Sequence, residues 1–202
     1  DKELITRLSR SKNEPDWLLD LRLKAFDHYR DLPIPHLEKT KIDHWNIDQF
    51  TLAGEDEKEQ EQLPAEITSI VASKSEDRNL FVQKNGSTIY KEFSKNLADS
   101  GVIFTDLNYA VQEYPDLVKK YLMNSLSIDE NKLIALHAAL WKGGIFLYIP
   151  KNTNVEVPIQ AVHLASDQGL LPHILIIAER NSSVTYVDHR FSLENKQTTV
   201  HN

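Results

Sequence analysis

Histidines are the residues of this chain that could most readily hold a metal ion, but their spacing argues against such a site. The sequence contains eight histidines and no cysteine. His163, His173 and His189 fall in a β-prone region, yet no two histidines have the His-x-x-x-His spacing of a helical metal site. No cysteine or carboxylate pairing completes a ligand set near them. His137 lies on the apolar face of a helical pattern, which predicts a hydrogen-bonded core histidine.

Two other groups of residues could suggest hydrolysis or phosphate binding. Asp188-His189 with a serine would supply parts of a triad, but there is no Gly-x-Ser-x-Gly elbow, and neighbours on a strand point to opposite faces. Lys142-Gly143-Gly144 lacks the spacing of a phosphate-binding loop, and we interpret its glycines as the end of a helix. The sequence therefore predicts no catalytic, cofactor-binding or metal-binding residue, and a protein that is not an enzyme.

The composition limits the class of protein further. Of the 202 residues, 41% are hydrophobic and 26% are charged, and the formal net charge is −7. An acidic chain without a basic run argues against a nucleic-acid surface. The chain does not start with a secretory signal and has no apolar run long enough to cross a bilayer. We therefore expect a cytoplasmic protein that binds neither nucleic acid nor membrane.

The two ends of the sequence suggest a piece of a longer chain. Asp1 is not a natural start, and residues 198–202 continue a strand pattern without a cap or tail. We expect the missing part to follow residue 202.

The N-terminal part of the chain shows a clear helical pattern. Asn13 is predicted to cap a helix in whose first turn Pro15 presets φ. Apolar residues then recur at helical spacing to about Arg30, and the Leu-Pro-Ile-Pro sequence at 32–35 ends the pattern.

Extended structure and a linker are expected after this helix. Residues 39–50 predict a short extended segment anchored by Trp45, and the polar residues of about 53–66 predict a linker. Asn85-Gly86 between two short β-prone runs predicts a β-hairpin, because both residues tolerate positive φ.

A second group of helices is predicted beyond the hairpin. Residues 101–104 predict a short strand, after which Thr105 or Asp106 can cap a helix. Pro115 breaks that helix and can begin the next one. The last helix of the group carries the apolar residues of 133–140.

The pattern changes to short strands after Gly144. Four β-prone runs, at 146–149, 155–159, 174–177 and 184–187, are separated by turn-forming residues. This spacing is compatible with a sandwich, a barrel or a solenoid, and the pattern does not choose among them. The small polar residues around 179–184 are typical of a solenoid corner.

Several stretches, taken in order along the chain, resemble the SufB/SufD family. The resemblance begins with Glu14-Pro15-x-Trp17 and the Arg22-x-x-Ala25 that follows on the opening helix. The remaining stretches that resemble the family are 32–33, 39–46, 101–107, 116–122, 137–151 and 157–160. The Leu-Pro-x-Pro segment and the Asn-Gly hairpin favour the SufD branch.

The resemblance implies a fold and a function. The implied fold class is α+β, with an N-terminal, mostly helical region at 1–140 that includes a small β-hairpin. Residues 141–202 would be the start of a right-handed parallel β-helix, cut after its first coils. The implied function is a non-catalytic scaffold subunit of the SUF iron–sulfur cluster assembly complex, acting with a SufB paralogue and the SufC ATPase. The cluster would belong to the full complex, so no cofactor is expected in this chain.

Two alternatives remain open from the residues alone. A SufB-like subunit would itself carry the cluster. A carbohydrate-active β-solenoid enzyme would need paired carboxylates on successive coils, and Glu156, Glu179 and Asp188 do not recur at a fixed coil register.

Two further expectations concern packing and association. The three tryptophans, Trp17, Trp45 and Trp141, are predicted core anchors, with Trp141 closing the end of the β-helix. A solenoid cut between coils exposes strand edges, so we expect self-association through the region from about residue 146 onward.

Overall fold

The computed structural model describes most of the chain. The residues it describes are 1–42, 58–60, 62, 65–68, 78–166 and 170–193. Most of the predicted linker at 53–66, the Trp45 anchor and the strand pattern at 198–202 lie outside these residues.

Two helices open the chain, and the residue between them has a different role from the one predicted. Helix α1 spans Lys2–Ser11 and helix α2 spans Asp16–Asp31. Asn13 does not cap α2, which begins after an extended Pro15 without a side-chain cap. Asn13 instead has φ 52°, and its backbone N–H donates to the carbonyl of Arg10, so it ends α1. Asparagine tolerates this left-handed conformation, which explains why a capping residue type ends a helix here.

The predicted hairpin is present. Strands β1 (Asn79–Lys84) and β2 (Ser87–Glu92) pair antiparallel around a two-residue turn. Asn85 and Gly86 both have positive φ, 51° and 83°, as a type I′ hairpin turn requires. A short helix, α3 (Ala65–Thr68), precedes the hairpin.

The second group of helices follows the predicted order. The elements are α4 (Lys95–Asp99), β3 (Ile103–Asp106), α5 (Leu107–Glu113), α6 (Pro115–Tyr121) and α7 (Lys132–Leu140). Asp106 caps α5 by accepting from the backbone N–H groups of Asn108 and Tyr109, and Pro115 occupies the first position of α6. Asn131 caps α7 by accepting from the backbone N–H groups of Leu133 and Ile134.

Four strands follow α7, and the chain alternates between two sheets as it passes through them. The strands are β4 (Gly144–Ile149), β5 (Ile159–Ala165), β6 (His173–Ala178) and β7 (Tyr186–Ser192). One sheet has the order β2-β1-β5-β7 and the other has the order β3-β4-β6. The pairs β1/β5, β5/β7 and β4/β6 are parallel, whereas β1/β2 and β3/β4 are antiparallel.

This topology confirms the α+β class, but not the parallel β-helix expected for residues 141–202. The two sheets remain separate and open, and each includes an antiparallel strand. Strands β1 and β3, from the N-terminal side of residue 140, take part in the same sheets as the later strands. The division into two regions at 140 therefore stays a prediction.

The corner predicted at 179–184 stacks on an earlier, similar corner. Asn152 and Asn181 both have positive φ, 59° and 58°. The side-chain amide of Asn181 donates to the side-chain oxygen of Asn152 over 2.9 Å, and the two residues are 29 positions apart. Ser183 bonds Asn154 through their side chains at the same separation. Two successive turns of the chain are thus held in register by asparagine and serine side chains.

The core is divided by the alternation of side chains along β4. Ile145, Leu147 and Ile149 face Phe81 and Ile159 on the other sheet, and all five are buried. Phe146 points the other way, into a cluster formed with α2, α5, α6 and Trp141. Trp141 is fully buried and Trp17 is partly buried against this cluster, which confirms both as core anchors.

A buried ion pair joins the N-terminal helices to the start of the sheets. The Arg22 guanidinium donates to both carboxylate oxygens of Glu14, from Nη2 over 2.6 Å and from Nε over 2.8 Å. The two side chains are only 1% and 2% exposed. Arg22 Nη1 also donates to the carbonyls of Ala139 and Trp141, and the guanidinium lies 4.2 Å from the centre of a Trp141 ring. We call this group the Arg22 clamp.

The two glycines after α7 have a role that the sequence interpretation missed. The helix ends at Leu140 with an extended Trp141 as its cap, so the glycines do not end it. Gly143 has φ 70°, and a Cβ atom there would lie 2.2 Å from the carbonyl oxygen of Gly86 in the hairpin turn. Gly144 has a similar constraint against the backbone of His173. Close backbone approach, more than helix termination, is the reason for glycine at these positions.

We expect Gly143→Ala to destabilise the protein by about 3 kcal/mol or more, because it adds a backbone clash to a left-handed conformation. Gly101→Ala is the matched control. Gly101 has φ 74°, but the nearest atom to its Cβ would be 3.5 Å away, on the Pro150 side chain. Gly101→Ala should therefore lower the free energy of unfolding by only about 1–2 kcal/mol. Urea unfolding followed by tryptophan fluorescence measures both, and equal losses would contradict the proposed backbone contact.

Candidate functional site

Two histidines meet at the floor of a cleft between α7 and β6. Nε2 of His137 lies 3.0 Å from Nδ1 of His173, and the ring centres are 5.2 Å apart. Trp141 lies beside His173, with ring centres 5.9 Å apart. His137 is hydrogen-bonded, as the sequence predicted, but its partner is another histidine that sequence spacing could not connect to it.

The cleft has a volume of about 310 Å³ and mostly apolar walls. His137, His173 and Arg190 are its polar lining residues. The apolar lining residues are Met123, Leu126, Leu133, Ile134, Pro172 and Ile174.

The surroundings of His173 keep its imidazole neutral at neutral pH. Burial, together with the positive charge of Arg22, lowers the pKa of His173 to about 4. A neutral imidazole has one N–H donor and one acceptor nitrogen, so one ring of the pair donates to the other. His173 therefore gives the cleft a hydrogen-bonding group that carries no charge at neutral pH.

A second polar group lies inside the sheets, next to this cleft. Gln83, His163 and Arg190 are in register across β1, β5 and β7. His163 is fully buried, and its Nε2 lies 3.6 Å from a carboxylate oxygen of Asp188. Burial lowers the pKa of His163 to about 4, with the Asp188 carboxylate acting in the opposite direction and Arg190 adding to the decrease.

Arg190 connects this internal group to the cleft. Its Nε and Nη2 both donate to Asp188, over 3.1 Å and 2.7 Å. Its Nη1 is buried and has no hydrogen-bond partner among the residues that the structure describes. Arg190 also lines the cleft, and its guanidinium is paired with the Asp188 carboxylate. Residue spacing in the sequence does not single out Arg190. Polar residues alternate along β7 at Tyr186, Asp188 and Arg190, but the pattern can be interpreted only once the register of β7 with its neighbouring strand is known.

Asp188 and His189 do not form a triad with a serine among the described residues. The Asp188 carboxylate bonds Arg190, while His189 stacks on Phe191, with ring centres 6.2 Å apart. Asp188 contacts His163 on the neighbouring strand. Asp188 and His189, although adjacent in sequence, therefore contact different parts of the structure. Within the described residues, no group of three or more His, Cys, Asp or Glu side chains has the arrangement of a metal site.

A further acid, the half-buried Asp106, has a structural role. Burial raises its pKa, while hydrogen bonds from the backbone of Asn108 and Tyr109 and from Thr88 act against the increase. Gln83 Nε2 donates to Asp106 over 2.6 Å, and Gln83 Oε1 accepts from the backbone N–H of Gly144 over 2.9 Å. This network ties the hairpin to α5 and β4, and its groups are engaged with one another.

The two buried histidines predict a pH dependence of stability. An unfolded histidine has a pKa near 6.5 and these folded ones have values near 4, so the unfolded state binds protons first as the pH falls. Their contribution to stability is complete above about pH 6.5 and is lost towards pH 4. It amounts to roughly 3 kcal/mol at most for His163, and to less for His173, which borders the cleft.

In the double variant His163→Gln/His173→Gln, the free energy of unfolding should therefore change much less between pH 6.5 and pH 4 than it does in the unchanged protein. Urea unfolding at a series of pH values measures it. The variant His36→Gln is the control, since His36 is exposed, and its slope should match that of the unchanged protein. A double variant with an unaltered slope would show that these histidines do not titrate as their burial predicts.

No helix in the described part of the chain is both long and apolar enough to cross a membrane.

Comparison with known proteins identifies the family. The family model described as "SufBD protein N-terminal region" matches residues 7–161. The chain is 44% identical over 208 residues to the iron-sulfur cluster assembly protein SufD of Bacillus subtilis (strain 168), covering 100% of this chain and 48% of the relative. It is 31% identical over 199 residues to an iron-sulfur cluster assembly SufBD family protein of Staphylococcus aureus (strain USA300), covering 93% of this chain and 43% of the relative.

The chain thus spans about half the length of the curated relatives it matches. The matches include most of the stretches from which the sequence predicted the resemblance. The chain belongs to the SufB/SufD family of iron–sulfur cluster assembly proteins.

Proposed function

We propose that this protein is a non-catalytic scaffold subunit of the SUF iron–sulfur cluster assembly complex, acting in the cytoplasm with a SufB paralogue and a SufC-type ATPase. The observation that carries the proposal is the 44% identity to a SufD protein across this entire chain. A match of this extent favours the SufD branch over a SufB-like subunit. The same match gives no support to the alternative that the protein is a carbohydrate-active enzyme.

The arrangement of the strands supports a scaffold built from stacked coils of the chain. Strands after α7 alternate between two sheets, and β6 pairs with β4 and β7 with β5 in parallel. Stacked corners at Asn152 and Asn181 keep successive turns of chain in register. In the proposal this arrangement is the beginning of a right-handed parallel β-helix, in which later coils add to the same two sheets. Self-association through the region from residue 146 onward stays a prediction.

The environments of the polar side chains support a scaffold more than a catalyst. The buried charges of Arg22 and Glu14 neutralise each other, and Asp106 receives hydrogen bonds from surrounding groups. The cleft with the histidine pair has apolar walls, and none of its lining residues is a serine, threonine or cysteine that could act as a nucleophile. In this proposal the iron–sulfur cluster is a product carried by the full complex, with no cofactor held by this chain.

Co-purification tests the proposed function. The full-length protein that contains this chain would be co-expressed with a SufB paralogue and a SufC-type ATPase and separated by size-exclusion chromatography with light scattering. We expect one peak whose mass accounts for all three proteins. The two partners without the full-length protein are the control, and their peak should have a smaller mass. A full-length protein that elutes alone beside two folded partners would contradict the proposal.

A further inference from the structure

We propose that Asn85 is a deamidation site that the fold protects, and that it is converted to aspartate or isoaspartate only when the turn between β1 and β2 opens. Asn85 is the only asparagine of the sequence that is followed by glycine. Glycine has no side chain that would hinder an attack by its backbone nitrogen on the asparagine before it. The proposal concerns the chemistry of the chain itself and does not depend on the proposed function.

The reaction needs only the chain and water. The backbone nitrogen of Gly86 bonds to Cγ of Asn85, the Cγ–Nδ2 bond breaks, and ammonia leaves with the proton of the Gly86 amide. The product is a five-membered succinimide ring. Water then opens the ring at one of its two carbonyl carbons. The product is aspartate if the Gly86 nitrogen leaves Cγ, and isoaspartate if it leaves the main-chain carbonyl carbon.

The backbone of the folded turn keeps the two reacting atoms apart. Ring formation requires the Gly86 nitrogen to lie on the same side of the Cα–C bond of Asn85 as Cβ. Asn85 and Gly86 have φ values of 51° and 83°, as in a type I′ turn. In such a turn ψ of the first residue is about +30°, so the Gly86 nitrogen points nearly opposite to Cβ. The peptide unit between the two residues must therefore rotate before the ring can close.

Contacts on both sides of the turn oppose this rotation. Nδ2 of Asn85 donates to Oγ of Ser166 over 2.8 Å, and Oδ1 accepts from the Ser166 backbone N–H over 3.1 Å. The Asn85 backbone N–H donates to the carbonyl of Leu164 over 2.9 Å. The carbonyl oxygen of Gly86 lies against Gly143, where an added Cβ atom would be 2.2 Å away. The turn is thus fixed both to the end of β5 and to the segment before β4.

The two products differ in how well they fit the turn. Aspartate tolerates positive φ, and its carboxylate can still accept from the Ser166 backbone N–H. Isoaspartate adds one methylene group to the main chain, so a two-residue turn no longer joins β1 and β2 in their register. Strand β1 lies between β2 and β5, so a hairpin that cannot close also disturbs the pairing of β5. Isoaspartate at this position therefore makes an opening of the turn irreversible.

The rate of deamidation of the full-length protein at neutral pH and physiological temperature tests this proposal. Chromatography and mass spectrometry of the digested protein, with synthetic standards, quantify asparagine, aspartate and isoaspartate at position 85. Ring closure is slow compared with the opening of a turn, so its rate in the folded protein depends on the fraction of molecules with an open turn. A synthetic peptide of residues 79–92 gives the unprotected rate, and the folded protein should react at least about tenfold more slowly.

Variants of Ser166 test the side-chain contact. Ser166→Ala removes the acceptor of the Asn85 amide and should raise the rate about threefold to tenfold, whereas Ser166→Thr keeps a hydroxyl group and should retain the protection. Ser182→Ala is the matched control, because Ser182 is also half-buried and its hydroxyl donates to the carbonyl of Glu179, on the corner before β7. This control should leave the rate unchanged. Tryptophan fluorescence verifies that each variant is folded.

Three results would overturn the proposal. The first is a peptide that forms neither aspartate nor isoaspartate at position 85. The second is a folded protein that reacts as fast as the peptide, and the third is a folded Ser166→Ala variant that reacts no faster than the unchanged protein. The comparison with the peptide uses the unchanged protein, so it decides the proposal even if Ser166→Ala does not fold.

Discussion

The buried ion pair between Arg22 and Glu14 is the contact through which the helices and the sheets of this chain are held together. Taking two charges out of water is costly, and it is tolerated when the pair is bidentate and the remaining donors are satisfied. Both conditions hold here, since the third nitrogen of the guanidinium donates to the carbonyls of Ala139 and Trp141. Those carbonyls belong to the end of α7, where helices have unpaired acceptors and a partial negative charge. One side chain thus neutralises an acid and completes a helix end.

The position of the Arg22 clamp determines much of the structure that follows it. Trp141 is stacked against the guanidinium and lies two residues before Gly143, which packs closely against the hairpin turn. From there β4 begins, and its alternating side chains build one core between the sheets and another against the helices. The same end of α7 carries His137, which places the histidine pair and its cleft near the clamp. The Arg22 clamp therefore contributes both to the stability of the fold and to the position of the candidate site.

Local signals in the sequence predicted local structure well. Asn85-Gly86, Asp106 and Pro115 act through their own backbone or the next few residues, so their roles follow from residue type alone. Asn13 was misinterpreted because an asparagine between two helices can cap the second or end the first, and only the hydrogen bonds distinguish these roles. The glycines at 143 and 144 were assigned to a helix end because their real constraint comes from residues far away in sequence. The cleft was beyond sequence reasoning for the same reason: His137, His173 and Arg190 meet only once strand register is fixed.

Hydrogen exchange of the full-length protein with Arg22→Met tests most directly whether the Arg22 clamp couples the helices to the sheets. Arg7→Met, at an exposed position of α1, is the control. Loss of the clamp leaves Glu14 buried without its arginine partner, at a cost of about 3–5 kcal/mol. Backbone amides of α2, the end of α7 and strands β4 and β6 should then all exchange faster, while the control matches the unchanged protein. Faster exchange confined to α1 and α2, with β4 and β6 as protected as before, would contradict the account.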